Sequence, residues 1–196
     1  MIGFAPAKIN LGLSVFGKRA DGFHELDSYL YSIPFYDILE IQEAPQDLFT
    51  LSGLPINTLP ENNLAISALN LLKAQVRIPP VHIHLHKQIP VQAGLGGGSS
   101  DAISVLKLLN KFFKLNINKT LMLEMALKLG SDCPFFITSA ASKISGRGEI
   151  LEKASLYKNR AIYASLSGSG SALFGIFENE PAIEFKSDYL VWQQQL

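Results

Sequence analysis

Apolar and polar residues alternate from the start of this chain. Ala7 to Phe16 puts Ile9, Leu11, Leu13 and Val15 on one side of an extended segment and Lys8, Asn10, Gly12 and Ser14 on the other. That pattern predicts a strand with one face in a core and a solvated opposite face. Phe23 to Ile41 reads as further strand, and Gln46 to Leu59 as a short strand with turns. The period then changes. Leu64, Ala68, Leu71 and Leu72 form an apolar stripe at helical spacing, with Asn62 or Asn63 as the cap and Arg77-Ile-Pro-Pro80 as the stop beyond about Gln75. Val81 to His86 alternates again, with three histidines on the polar side. Ile103, Leu106, Leu109 and Phe113 mark a helix from Asp101 to Leu115, and a further helix spans Lys119 to Leu129 between an Asn118 cap and a closing Gly130. Ser131 to Ile137 reads as an acid and a thiol at the lip of an apolar strand. Gly146-Arg-Gly148-Glu149 reads as a turn, Ala172 to Phe177 as a strand, and Tyr189 to Leu196 as a short helix or tail. Strands and helices in irregular order predict an α+β fold.

The connector from Pro90 to Asp101 carries the candidate chemistry. It holds Gly94, Leu95, Gly96, Gly97 and Gly98, then Ser99 and Ser100 where the helix cap is expected. Glycines take positive φ and let a ligand approach the backbone. A helix start presents unpaired N–H groups, so strand, loop and helix together make an anion site. A third glycine in dinucleotide spacing is absent, as is a lysine before Ser99, which sets aside the Rossmann and Walker A classes. H-R-D and D-F-G are also absent. The competing reading of the loop is a flexible turn.

Composition narrows the partners. With 47% hydrophobic and 17% charged residues, 196 residues suffice for a folded core rather than a disordered segment. Seventeen basic and seventeen acidic side chains cancel, so no overall field draws the chain to nucleic acid or to a membrane. A single cysteine, Cys133, allows no internal disulfide and suits a reducing compartment; cytoplasmic is the expectation. His82, His84 and His86 share one strand face and could bind zinc, but lack an acidic or thiol neighbour in sequence. A cysteine-hydrolase role for Cys133 competes with that of a buried structural thiol, which its neighbours Pro134 and Phe135 favour.

Three motifs in order resemble those of the GHMP small-molecule kinases: Pro6-Ala-Lys-Ile-Asn10, the loop from Pro90 to Ser100, and Ser167-Gly-Ser-Gly-Ser-Ala172. Within that superfamily, Lys18-Arg-Ala-Asp-Gly-Phe-His-Glu25 and Gly130-Ser-Asp-Cys-Pro-Phe-Phe136 resemble the branch acting on cytidine diphosphate-linked methylerythritol, on the non-mevalonate route to isoprenoid precursors. The resemblance implies ATP-dependent phosphorylation of the methylerythritol 2-hydroxyl. It implies Asp132 as the acceptor of the hydroxyl proton and Lys8 as its partner. Pro90, Gly94, Leu95, Gly96, Gly97, Gly98, Ser99 and Ser100 would hold the ATP phosphates, with Ser99 or Ser100 near a Mg2+ ion and Asn63 near the adenine. Asn10, Phe23, His24 and Lys87 would recognise the cytosine end of the substrate. The family usually carries tyrosine where Phe23 stands, so stacking is kept and a hydroxyl lost.

By resemblance, residues 1–150 form a first domain like ribosomal protein S5 domain 2, and residues 151–196 a shortened ferredoxin-like remnant. The expected state is a monomer or weak homodimer without nucleic-acid or membrane partners. Only Ile150 to Leu166 separates the Gly146–Glu149 turn from the third motif, a shorter interval than the family has. Two alternatives follow: another GHMP activity, of the homoserine or mevalonate kinase type, or a nucleotide-binding remnant without catalysis. The Asp-Gly-Phe-His context of His24 speaks against the former.

Overall fold

The computed structural model describes residues 1–18, 24–56, 62–145, 150–153, 163–167 and 171–176. Strands β1 (Ile2–Lys18) and β2 (His24–Glu43) form a long antiparallel pair, with Ile2 opposite Glu40 and Lys18 opposite His24. Strand β3 (Leu48–Gly53) runs parallel to β4 (Val81–Lys87), and helix α1 (Leu64–Lys73) is the crossover that a parallel pair needs. Because β1 lines one edge of β2 throughout, β4 and β5 (Ser142–Ser145) share its opposite edge, at Ile38–Glu43 and Ser28–Leu30. Strand β6 (Ile150–Lys153) pairs with β5, giving the order β3-β4-β2-β5-β6 with β1 on β2. The sheet therefore continues to Lys153, past the boundary expected at residue 150. Strands β7 (Tyr163–Leu166) and β8 (Leu173–Ile176) form a separate antiparallel pair.

Helices α1, α2 (Gly97–Phe112), α3 (Lys119–Leu129) and α4 (Cys133–Phe136) pack against one face of the sheet. Val81, Ile83 and Leu85 of β4 and Leu39 and Ile41 of β2 are buried there with Ala68, Leu72, Ile103, Leu106, Leu109 and Met125. Each fully buried aliphatic chain contributes about 1.5–3 kcal/mol relative to exposure. A one-residue slip of β4 would turn its whole set outward, so this cluster fixes the register.

The opposite face carries the three histidines. Thr50 bridges His82 Nε2 and His84 Nδ1, both at 2.8 Å, and Ser52 bridges His84 Nε2 and His86 Nδ1, both at 2.9 Å. These hydroxyl bridges hold the edge strand β3 to β4. Among the described residues no group of three or more His, Cys, Asp or Glu could hold a metal ion, so the zinc reading is not supported.

Helix α3 and its Asn118 cap match expectation, Asn118 Oδ1 accepting from Leu121 N at 2.9 Å. Two elements differ. Helix α2 begins at Gly97 with Gly96 as its cap, so Ser99 and Ser100 lie in its first turn and cap nothing. Cys133 to Phe136 is a helical turn and not a strand: Pro134 sits at its start, where a fixed φ and a missing N–H suit a helix. The expectations for Gly146–Glu149 and for Tyr189–Leu196 lie outside the described residues.

Candidate active site

Two register shifts in the first hairpin shape the floor of the site. Between Pro6 and Ala7 the pairing moves from Tyr36 to Ile33, looping out Pro34 and Phe35. A proline cannot donate to the ladder, so a bulge is where it belongs. The second shift, between Leu11 and Leu13, leaves Gly12 at φ 69° with its carbonyl accepting from Ser28 Oγ. Between these bulges, Lys8 and Asn10 are buried together with Ile9, instead of lying on the expected solvated face.

For Lys8 the reason is the loop that covers it. Lys8 N donates to Leu95 O at 2.9 Å, docking the loop on the free edge of β1. Gly96 has φ 69°, and a Cβ there would lie 2.9 Å from the Phe136 ring and 3.0 Å from Lys8 Cγ. Only glycine lets the loop, the Lys8 stem and α4 meet at this point. Leu64 and residues Pro90 to Ser99 line a cavity of about 240 Å³ in front of the start of α2, where the first-turn N–H groups lack helical partners. Ser99, expected with Ser100 at the phosphates, is partly exposed beside it, whereas Ser100 is fully buried.

Lys8 and Asp132 come together as expected. Lys8 Nζ lies 3.4 Å from Asp132 Oδ2, with side-chain exposures of 4% and 39%. Asp132 precedes α4, and its side chain makes no cap hydrogen bond there, so the carboxylate is left to the lysine and the solvent. Phe135 and Phe136 anchor that turn in the core at an edge-to-face angle, and Lys107 of α2 donates to Phe136 O at 3.3 Å. Asn10 Oδ1 accepts from Lys8 Nζ at 2.6 Å, and Asn10 Nδ2 donates to Ser28 Oγ at 3.1 Å. Asn10, expected at the cytosine end of the substrate, is 4% exposed and holds the Lys8 ammonium by this bond.

Lys87, expected at the cytosine end of the substrate, has its ammonium buried between Asp37 and Asp101, donating to Asp101 Oδ2 at 2.8 Å and to Asp37 Oδ2. Asp37 Oδ1 takes the N–H groups of Gln88 at 2.6 Å and Ile89 at 2.9 Å. Burial alone would lower Lys87, but Asp101 and Asp37 outweigh it and hold the ammonium above its ordinary value. Burial, helped by the neighbouring Asp37 carboxylate, pushes Asp101 up to about 7 against the pull of Lys87.

The third motif reaches the same place. Ala172 N donates to Ala93 O at 3.0 Å, Ser167 N to Ala172 O at 2.8 Å, and Ser167 Oγ to Gly94 O at 3.0 Å. Asn63, expected both as a helix cap and near the adenine, caps α1, its Oδ1 accepting from Ala65 N at 2.9 Å. Phe23 lies outside the described residues, and of His24 only the backbone, opposite Lys18, is described. Cys133 is buried, and burial pushes its thiol up to about 11, which withholds the thiolate a cysteine hydrolase needs.

A lysine–aspartate pair beside a glycine cradle, in a mixed α/β layer fold, defines the class as a GHMP-type small-molecule kinase. The family profile described as the GHMP kinases N terminal domain matches residues 63–140. The 4-diphosphocytidyl-2-C-methyl-D-erythritol kinase of Parabacteroides distasonis is 34% identical, with the alignment covering 100% of both chains. That of Cytophaga hutchinsonii is 36% identical over 92% of this chain and 94% of the relative. This chain belongs to the 4-diphosphocytidyl-2-C-methyl-D-erythritol kinase family. A crystal structure of a 4-(cytidine 5'-diphospho)-2C-methyl-D-erythritol kinase superposes with TM-score 0.69 at 35% identity, covering 80% of this chain and 56% of the other. The Methanococcus jannaschii mevalonate kinase shares the fold, with TM-score 0.58 at 18% identity, 79% of this chain and 56% of the other.

The alignment with the Parabacteroides relative runs 270 positions end to end, against 196 residues here. The difference falls in internal gaps. This chain is shorter than its relative from within.

Proposed function

We propose that the chain transfers the γ-phosphoryl group of ATP to the 2-hydroxyl of 4-diphosphocytidyl-2-C-methyl-D-erythritol, in the cytoplasm. The observation that carries this reading is the 3.4 Å approach of Lys8 Nζ to the half-exposed Asp132 carboxylate beside the glycine loop. Asp132 accepts the proton of the attacking hydroxyl. The lysine has three donors; Asn10 accepts one, and Asp132 pairs with its charge across 3.4 Å, which leaves N–H groups for the phosphoryl oxygens on which charge develops. Backbone N–H groups from Gly94 to Ser99 hold the polyphosphate at the start of α2. Such transfers rely chiefly on positioning and charge stabilisation.

The Ser99 hydroxyl, partly exposed beside the cradle, would serve as a protein ligand to a phosphate-borne magnesium ion. Bound there, the ion would neutralise charge on the phosphate oxygens. His24 and Phe23 are assigned to the cytosine and Asn63 to the edge of the adenine, by family likeness.

Incubation with ATP, magnesium and the cytidyl substrate, followed as ADP release, tests the reading. Asp132→Asn, at an exposed carboxylate, should fold normally and lower kcat by roughly 10²-fold or more. No ADP from the wild-type chain would sink the proposal; nucleotide binding without turnover would leave only the phosphate cradle standing.

A further inference from the structure

Strand β4 buries its odd-numbered residues, Val81, Ile83 and Leu85, and the next in phase is Lys87. Asp37 is likewise in phase with the buried Leu39 and Ile41 of β2. Two charges on apolar faces meet a third, Asp101, in the second turn of α2, and all three side chains are at most 3% exposed. The connections are directional. Asp37 binds the N–H groups of Gln88 and Ile89, the residues at which the chain leaves β4 for the glycine loop. Lys87 passes beneath the far end of that loop: its Nζ is 3.2 Å from where a Cβ on Gly97 would sit, and it ends on Asp101. One ammonium thus joins the start of the loop to the helix that finishes it.

Stability does not account for such an arrangement. A buried ion pair is often no more stabilising than apolar residues of equal volume. Asp101 Oδ1 and Ser100 Oγ are, moreover, buried without a hydrogen-bond partner among the described residues, which costs stability at each such group. Uncompensated polar burial is expected where geometry matters more than stability.

We infer that the Asp37–Lys87–Asp101 triad is a positioning device that sets the conformation of the glycine loop before nucleotide arrives, so that it governs polyphosphate affinity and not the transfer step. The inference rests on the reading of residues 90–99 as a polyphosphate cradle. Lys87, Asp37 and Asp101 act through the loop and touch no ligand.

The test removes the lysine and the charge of one carboxylate, Lys87→Met with Asp37→Asn: the amide keeps an acceptor for the Gln88 and Ile89 N–H groups, and Asp101, which burial already pushes up, is left as a neutral carboxyl and not as a lone charge. Three readouts are compared with wild type: the thermal midpoint, amide exchange by mass spectrometry, and calorimetric affinity for magnesium–ADP. The double variant should melt cooperatively near the wild-type temperature, exchange faster by about tenfold across residues 88–98 but not in α1 or α3, and bind magnesium–ADP about tenfold more weakly. In turnover, the KM for ATP should rise with kcat kept. Unchanged loop exchange and affinity would overturn the inference, as would acceleration spread evenly over the protein, which is plain loss of stability. If the double variant does not fold, Asp101→Asn decides: it keeps an acceptor for Lys87 without the charge, and should accelerate loop exchange alone by about threefold. No acceleration there overturns the inference. A wild-type chain that fails to bind magnesium–ADP would remove the kinase reading, while the exchange comparison still decides whether the triad sets the loop.

Discussion

Gly96 is the residue at which the site is most sensitive. Its positive φ would strain alanine by roughly 1–2 kcal/mol. The new methyl would also press on the Phe136 ring and on the Lys8 stem, displacing both partners of the catalytic pair from one position. Gly96→Ala should therefore cost about 2 kcal/mol in stability and lower kcat/KM by roughly 10²-fold or more, since misplacement of a reacting group by an ångström has that effect. Denaturant melts and steady-state kinetics check the two parts; a variant with full activity would mean that the loop does not meet Lys8 in solution. Legibility at this scale was uneven. Lys8 and Asp132 stood out through likeness to a family, and the structure joins them. The same likeness places Asn10 and Lys87 at the substrate, and the structure shows both buried and hydrogen-bonded within the protein. For Lys87 the sequence did hold the signal: a lysine in phase with Val81, Ile83 and Leu85, and an aspartate in phase with Leu39 and Ile41, must find partners in the core. For Asn10 no local pattern existed, because its partners are the Lys8 ammonium and the Ser28 hydroxyl of the neighbouring strand.

Elements with their own punctuation were legible, and those set by distant contacts were not. Helix α3 has a side-chain cap and a terminal glycine, both local, and it lies where expected. The start of α2 was misplaced because serine is the better cap in isolation, whereas the structure caps it with Gly96, packed under Phe136. The crossover β3–α1–β4 shows how the chain joins element ends without such signals. Asp47, just before β3, accepts from Lys73 at the end of α1 at 2.5 Å and from Val81 N at the start of β4 at 2.9 Å. Burial pushes the Asp47 carboxyl up, but the hydrogen bond from Lys73, with that from Val81, outweighs it and holds the group below its usual 3.8. A depressed carboxylate contributes stability that is fully present above its unfolded value and lost as pH falls through the folded one. Asp47→Asn keeps an acceptor for Val81 and loses the ion pair. It should destabilise by less than about 1 kcal/mol at pH 7, the pair being half exposed, and the gap from wild type should close as pH falls below 4. Urea melts at pH 7 and pH 3.5 read this directly, and a gap that widens in acid would contradict the assignment.

At the scale of the whole molecule, two clusters of buried residues divide the work. The larger, between the sheet and its helices, draws on nothing beyond Leu151 among the described residues. The smaller lies under the glycine loop, where Ala7, Ile9, Ile89, Ala93 and Leu95 meet Ala172 and Phe174 from the far end of the chain. Folding and ligand binding therefore make different demands on the chain. The sheet and helix layer hold their own core, whereas the cradle needs Ser167 and Ala172 to satisfy the carbonyls of Gly94 and Ala93. Removing residues 154–196 should leave a cooperative thermal transition, because the larger cluster and the β5–β6 pair are intact. The same truncation should weaken magnesium–ADP by about tenfold or more, since two loop carbonyls lose their partners and the apolar floor beneath them opens to water. Calorimetric scanning and nucleotide titration of the truncated chain separate the two effects. A truncated chain that binds nucleotide as well as the whole would place the entire cradle in the first 153 residues and leave the third motif without a part in it. One that loses cooperative unfolding would show that the small cluster is part of the fold's foundation.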